Sequence, residues 1–159
     1  MLDYIKNLRN LVGNIPLILC PAGVIILENK KRVLLQHRTD NNTWGIPGGW
    51  CIEPGETVEE AAKREVYEET GIAVDEIELF NIYSGEEQHY IYPNGNEVYF
   101  INIVFITKRF QGDICLDEIE SKDVRFFQID DIPKEITPAC IPVLRDLRCK
   151  IDTYFNWKK

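Results

Sequence analysis

The stretch GGWCIEPGETVEEAAKREVYEETGI, residues 48 to 72, puts carboxylates on a helix face where a folded chain ordinarily puts apolar side chains. Thr57 followed by Glu60 has the spacing of a capping box, and Gly71 suits the position just past a last helical turn, so the helix is delimited at both ends. Pro54 and Gly55 supply the turn before it. Helical periodicity sets Val58, Ala61, Ala62, Glu65, Glu68, Glu69 and Ile72 on one stripe, apolar in its first half and acidic in its second. Glu60, Lys63 and Tyr67 face the other way. Glu65 has like charges at i+3 and i+4, each destabilising a helix by about 0.2–0.5 kcal/mol. Something should offset that repulsion.

A hard divalent cation is the natural candidate. Mg²⁺, or Mn²⁺ in its place, takes carboxylate oxygens, keeps several waters and binds phosphates at the same time. Taken alone, the run also reads as a solvated acidic face. Its context favours a site, because the carboxylates share their stripe with Val58 and the alanines and a glycine-rich turn leads into the helix.

The same residues resemble the Nudix box, G-x5-E-x7-R-E-U-x-E-E-x-G-U with U aliphatic. Glu56, seven intervening residues, then Arg64, Glu65, Val66, Glu68, Glu69, Gly71 and Ile72 follow it without a gap. One departure precedes the helix: six residues rather than five separate Gly49 from Glu56. Either the loop carries an extra residue or Trp50 replaces the glycine.

The resemblance, to enzymes of the MutT and ADP-ribose pyrophosphatase kind, implies an α/β/α Nudix sandwich. It also implies Mg²⁺-dependent hydrolysis of a nucleoside diphosphate linked to another group, by attack of water on phosphorus without a covalent enzyme intermediate. Carried over residue by residue, Glu65, Glu68 and Glu69 become metal ligands and catalytic residues, with Gly49 joining the metal set. Glu65 is also a candidate general base. The sequence leaves that role open, because neighbouring carboxylates raise its pKa and a bound cation lowers it. Arg64 joins the catalytic set in a structural role, pairing with Glu56 to fix the loop through a planar fork that lysine lacks. Gly55 and Gly71 complete the framework. Members of the family often recruit one more glutamate from a later loop, and Glu118 and Glu120 are the candidates.

The rest of the chain sets bounds on this reading. With 159 residues, 45% hydrophobic and 28% charged, it is sized for one domain spanning 1–159. A formal charge of −8 argues against non-specific nucleic-acid binding, and an anionic substrate would then need help from a metal. Cysteines 20, 51, 115, 140 and 149 show no CxxC spacing, and with only His37 and His89 beside them no zinc site is expected. They read as buried or indifferent thiols in a reducing cytosol. No apolar leader or membrane-length stretch is present, so the expectation is a cytoplasmic protein with a small nucleotide substrate and no membrane partner, for which a homodimer is compatible.

In chain order, the pattern predicts α+β with a mixed or mainly antiparallel sheet. Residues 1–14 form a short N-terminal helical extension with Tyr4, Ile5, Leu8, Leu11 and Val12 at helical spacing. Residues 16–27 read as β, interrupted by Pro21 and Gly23, and lead through a hairpin into RVLLQHR. His37 and Arg38 read as exposed strand-end residues, and Trp44 and Trp50 as core; Arg38 and Trp44 are kept as the weaker substrate-binding candidates. After the box, EIELFNIYSG is a strand, and residues 93–96 turn a hairpin between HYIY and the long run EVYFINIVFITKRF. Glu86 to His89 read as solvated loop. Residues 138–155 form a C-terminal helix with Pro142 in its first turn and Ile141, Leu144, Ile151 and Phe155 inward.

ADP-ribose-like compounds and (d)NTPs stand level as substrates. Dinucleoside polyphosphates and RNA 5′ ends share the linkage, and the acidic charge disfavours RNA. The competing class is a Nudix-like nucleotide sensor that binds without hydrolysing; the intact REVYEE and the absence of a DNA-binding segment weigh against it.

Overall fold

The computed structural model describes residues 2–29, 31–49, 52–92, 94–116 and 119–156. Its centre is β2 (Ala22–Glu28), whose residues are buried along almost their whole length because helices cover both faces of the sheet they lie in. β2 pairs antiparallel with β3 (Arg32–Arg38) and parallel with β9 (Asn102–Thr107). β10 (Ser121–Gln128) and β6 (Glu78–Tyr83) extend the mixed sheet to the order β10-β3-β2-β9-β6, with short strands β4 (Trp44–Gly45) on β3 and β5 (Gly48–Gly49) on β2.

Strand periodicity assigns the two faces. Val24, Ile26, Leu34 and Phe105 pack against Ala61, Ala62 and Val66 of α2 (Val58–Thr70). Ile25, Leu27, Leu35 and Val104 pack against Val143, Leu144, Leu147 and Ile151 of α3 (Ile141–Asn156), which follows a 3₁₀ turn at Pro138–Cys140. The result is a helix, sheet, helix sandwich. Ile141, expected inward, is 51% exposed: the buried face starts at Val143, about 200° around the helix from position 141.

A second sheet, β1-β8-β7, joins β1 (Leu17–Leu19), β8 (Glu97–Phe100) and β7 (His89–Ile91). The run expected as one long strand divides at Ile101 into β8 and β9, which belong to different sheets, and β9 runs parallel to β2. Pro21 marks the matching crossing between β1 and β2; the Ile101 N–H donates to Leu19 O and the Ile103 N–H to Pro21 O where the two paths run together. Gly23 does not interrupt β2 but lies inside it.

The N-terminal helix α1 (Leu2–Val12) is tied down by Arg9, which donates to the Glu97 carbonyl at 2.7 Å and the Ile15 carbonyl at 2.6 Å. Ile5 packs on Leu19, Val98 and Phe100, whereas Leu11 and Tyr4 are exposed, so only part of the expected stripe is buried. Among the described residues no helix is long and apolar enough to cross a membrane.

Candidate active site

The capping box forms as its spacing requires: the Glu60 N–H donates to Thr57 Oγ1 at 3.2 Å and the Thr57 N–H to Glu60 Oε2 at 2.9 Å. Gly71 ends the helix at φ 74°, and a side chain there would press on Cβ of Cys115 at 2.8 Å, so glycine answers both the backbone and the packing. Caps at both ends fix the rotation of α2 and therefore which carboxylates turn inward. Glu65 and Glu69 are buried, while Glu68, expected on the same stripe, stands 55% exposed at its rim. Val66 and Thr70 complete the buried face.

Arg64 organises the cluster. Its Nε and Nη2 donate to the two oxygens of Glu56 at 2.8 and 3.0 Å, a fork-to-fork pair that ties the preceding loop to the helix. Its Nη1 bridges Glu65 at 2.7 Å and Glu68 at 3.1 Å. The hydrogen bonds from Arg64 hold the Glu56 carboxyl below the usual carboxylate range. Glu69 accepts the Gly48 N–H at 2.8 Å and has Arg38 Nη1 at 3.9 Å from its other oxygen. Burial nevertheless pushes its carboxyl up to about 8. Burial also raises Glu65, against the pull of Arg64 and with help from the charges of Glu68 and Glu120.

Gly49 lies directly against this cluster. A Cβ at that position would collide with the carboxylate of Glu65, so only glycine lets the strand backbone approach. Of the two later glutamates, Glu120 stands near enough for its charge to act on Glu65, and Glu118 lies outside the described residues. Trp50 and Cys51, where the loop departs from the expected spacing, also lie outside them.

From Gly48 and Gly49 a cleft of about 740 Å³, solvent mouth included, extends between the two sheets. It changes several sequence readings. Arg38 is not an exposed strand end: its side chain is 13% exposed, bonded to Asp40 at 3.1 Å, and lines the cleft. Trp44 is buried in the core, stacked by His37 at 4.8 Å, met edge-on by Phe127 and capped by Arg125. The segment expected as solvated loop becomes a 3₁₀ turn at Glu86–Gln88. In it Gln88 is fully buried and donates to Ala139 O, and His89 then enters the cleft wall, stacked on Tyr99 and bonded to Glu97.

Tyr90, Tyr92, Phe100 and Asn102 also line the cleft, and sequence reasoning did not single them out. Tyr90 and Phe100 lie in β7 and β8, Tyr92 follows β7, and all three look like ordinary core aromatics. The one visible signal was Asn102, a lone amide inside YFINIVF. The described cysteines, 20, 115, 140 and 149, are free thiols, and Cys140 is buried beside the cleft.

Residues 21–147 match the family model described as the NUDIX domain. The chain belongs to the Nudix family. It is 35% identical over 147 residues to an ADP-ribose pyrophosphatase of Methanocaldococcus jannaschii, covering 89% of this chain and 78% of that one. It is 29% identical over 126 residues to the NAD-capped RNA hydrolase NudC of Haemophilus influenzae, covering 77% of this chain but only 44% of that one. Among solved structures, the MutT Nudix hydrolase of Burkholderia pseudomallei superposes with a TM-score of 0.68 at 27% identity, over 80% of this chain and 96% of that one.

Nudix hydrolases generally use divalent metal ions, and the residue chemistry here suits one: buried carboxylates with raised pKa values beside a strand backbone that a side chain would block. Among the described residues no three acidic, imidazole or thiol groups converge on a single point. Arg64 Nη1 instead bridges Glu65 and Glu68.

Proposed function

We propose that this Nudix chain is a hydrolase that cleaves the diphosphate linkage of a small nucleotide with Mg²⁺, for which Mn²⁺ can substitute. The supporting observation is the junction itself: buried Glu65 and Glu69 meet the Gly48–Gly49 strand at the end of an aromatic-walled cleft. Glu65, Glu68, Glu69 and the Gly49 backbone would hold the cation, with Glu120 as the additional carboxylate. When bound, the cation screens the diphosphate charge and activates water.

The protein groups divide the remaining work. Arg64 neutralises Glu65 and Glu68 in the metal-free state through Nη1 alone, and its other two nitrogens stay on Glu56. Releasing Nη1 therefore leaves the loop clamped to the helix. Glu65, which burial makes a stronger base than an exposed glutamate, is the candidate to accept the proton of the attacking water. Arg38, lining the cleft next to Glu69, is placed to meet a substrate phosphate.

The archaeal ADP-ribose pyrophosphatase, similar over most of both chains, supports ADP-ribose-like substrates ahead of (d)NTPs. The test is a nucleotide panel incubated with the purified chain and Mg²⁺. ADP-ribose should give AMP and ribose phosphate, whereas NTP cleavage would give pyrophosphate; Glu68→Gln should remove most of the rate. No turnover across the panel, or an unaffected variant, would overturn the assignment.

A further inference from the structure

Asn102 is 7% exposed, lines the cleft, and forms no side-chain hydrogen bond with any described residue. Neither amide atom is among the fully buried, unpartnered side-chain atoms of the described residues, so the carboxamide opens onto the cleft, where a ligand can reach both its donor and its acceptor. Strand geometry explains how it reaches there. On β9, Ile103 and Phe105 pack toward α2, so Asn102 shares the opposite face with Val104, at the end of the strand where the cleft opens.

Its surroundings say what the ligand is. Tyr90, Tyr92, Phe100 and His89 put aromatic rings in the cleft wall, with the Tyr90 and Tyr92 rings set edge to face at 4.7 Å and His89 stacked on Tyr99. That is a stacking environment for a flat heteroaromatic ring. A carboxamide offers one donor and one acceptor side by side, which matches the N6 amino group and adjacent ring nitrogen of adenine. Guanine can pair its O6 and N1–H with the same amide, but its N2–H donor then faces a wall in which no Asp or Glu side chain is among the described residues, and a donor left unpaired in a cleft costs affinity.

We propose that Asn102 is the base-reading residue of the cleft and that it selects adenine nucleotides: Oδ1 accepts the N6–H and Nδ2 donates to the ring nitrogen beside it. This rests on the reading of the cleft as the nucleotide end of the site, but it does not require turnover.

The experiment is calorimetric binding of AMP, GMP and the purine-riboside monophosphate, which lacks N6, to the wild-type chain, Asn102→Leu and Asn102→Asp, alongside thermal unfolding. Wild type should prefer AMP to both other ligands, and Asn102→Leu should lose on the order of 10- to 100-fold in AMP affinity. Because the amide has no protein partner, Asn102→Leu should unfold at or above the wild-type temperature, a split that a merely structural residue would not give. Asn102→Asp keeps the acceptor, loses the donor, and should shift preference toward GMP. Equal wild-type affinity for AMP and GMP, undiminished AMP binding by Asn102→Leu, or loss of both ligands in proportion to lost stability would each overturn the inference. A chain that hydrolyses nothing yet binds AMP through Asn102 would remove the hydrolase reading and leave this one standing.

Discussion

Replacing Arg64 with lysine keeps the charge and removes the fork. In the native protein the guanidinium makes hydrogen bonds of 2.8 and 3.0 Å to Glu56, 2.7 Å to Glu65 and 3.1 Å to Glu68. An ammonium is a point donor and cannot span Glu56 on one side and the Glu65–Glu68 pair on the other, so two or three of these bonds are lost. Buried charge-assisted bonds contribute about 1.5–3 kcal/mol each and exposed pairs about 0–1. With the Arg64 side chain 26% exposed, an intermediate figure of about 1 kcal/mol per bond applies, giving a loss of about 2–3 kcal/mol. For a chain of this size that lowers the unfolding midpoint by roughly 5–10 °C. Circular dichroism melts in EDTA measure it, and a double-mutant cycle with Glu56→Gln should show coupling of about 1–2 kcal/mol. Saturating Mg²⁺ should recover part of the loss, because a cation replaces the charge that had been shared between Glu65 and Glu68. An unchanged melting point, or strict additivity with Glu56→Gln, would refute the view that this one side chain holds the loop on the helix.

Three further outcomes follow from the same geometry. Glu69 has a folded-state pKa raised from 4.5 to about 8, so its contribution to metal-free stability is fully present below about 4.5 and is lost as pH rises through 8; the Mg²⁺-induced rise in melting temperature should therefore be larger at high pH than at low, and a pH-independent rise would exclude that carboxylate from the metal site. Gly49→Ala drives a methyl into the Glu65 carboxylate and should cost about 1–3 kcal/mol while weakening Mg²⁺ binding, as read by thermal unfolding and metal titration. Trp44→Phe removes packing from the α3 side of the sheet and should lower stability with KM unchanged; a raised KM would return Trp44 to the substrate site.

The cluster around Glu65 was legible in the chain because everything that builds it is local. The capping pair, the terminal glycine, and the carboxylate and arginine spacing act within a few turns, and the period of the helix converts spacing into a face. Glu68 shows where that inference weakens: its place on the stripe was readable, but its exposure depends on how far the sheet reaches beneath the helix.

The cleft belongs to the other category. Arg38 changed from an exposed strand end to a buried wall residue because residues distant in the chain close over it, and Gln88 left the solvent because it anchors to Ala139 on the turn before α3, while Glu86 and Glu87 stay exposed as expected. The apolar run after Pro93 gave no sign of dividing at Ile101, since both halves are equally suited to strands and only pairing with β1 and β2 separates them. Short-range periodicity and caps were enough to specify the acidic helix and its face. Which side chains line the cleft was set by long-range packing, because a cleft is made by the meeting of two sheets, and neither carries in its own pattern the position of the other.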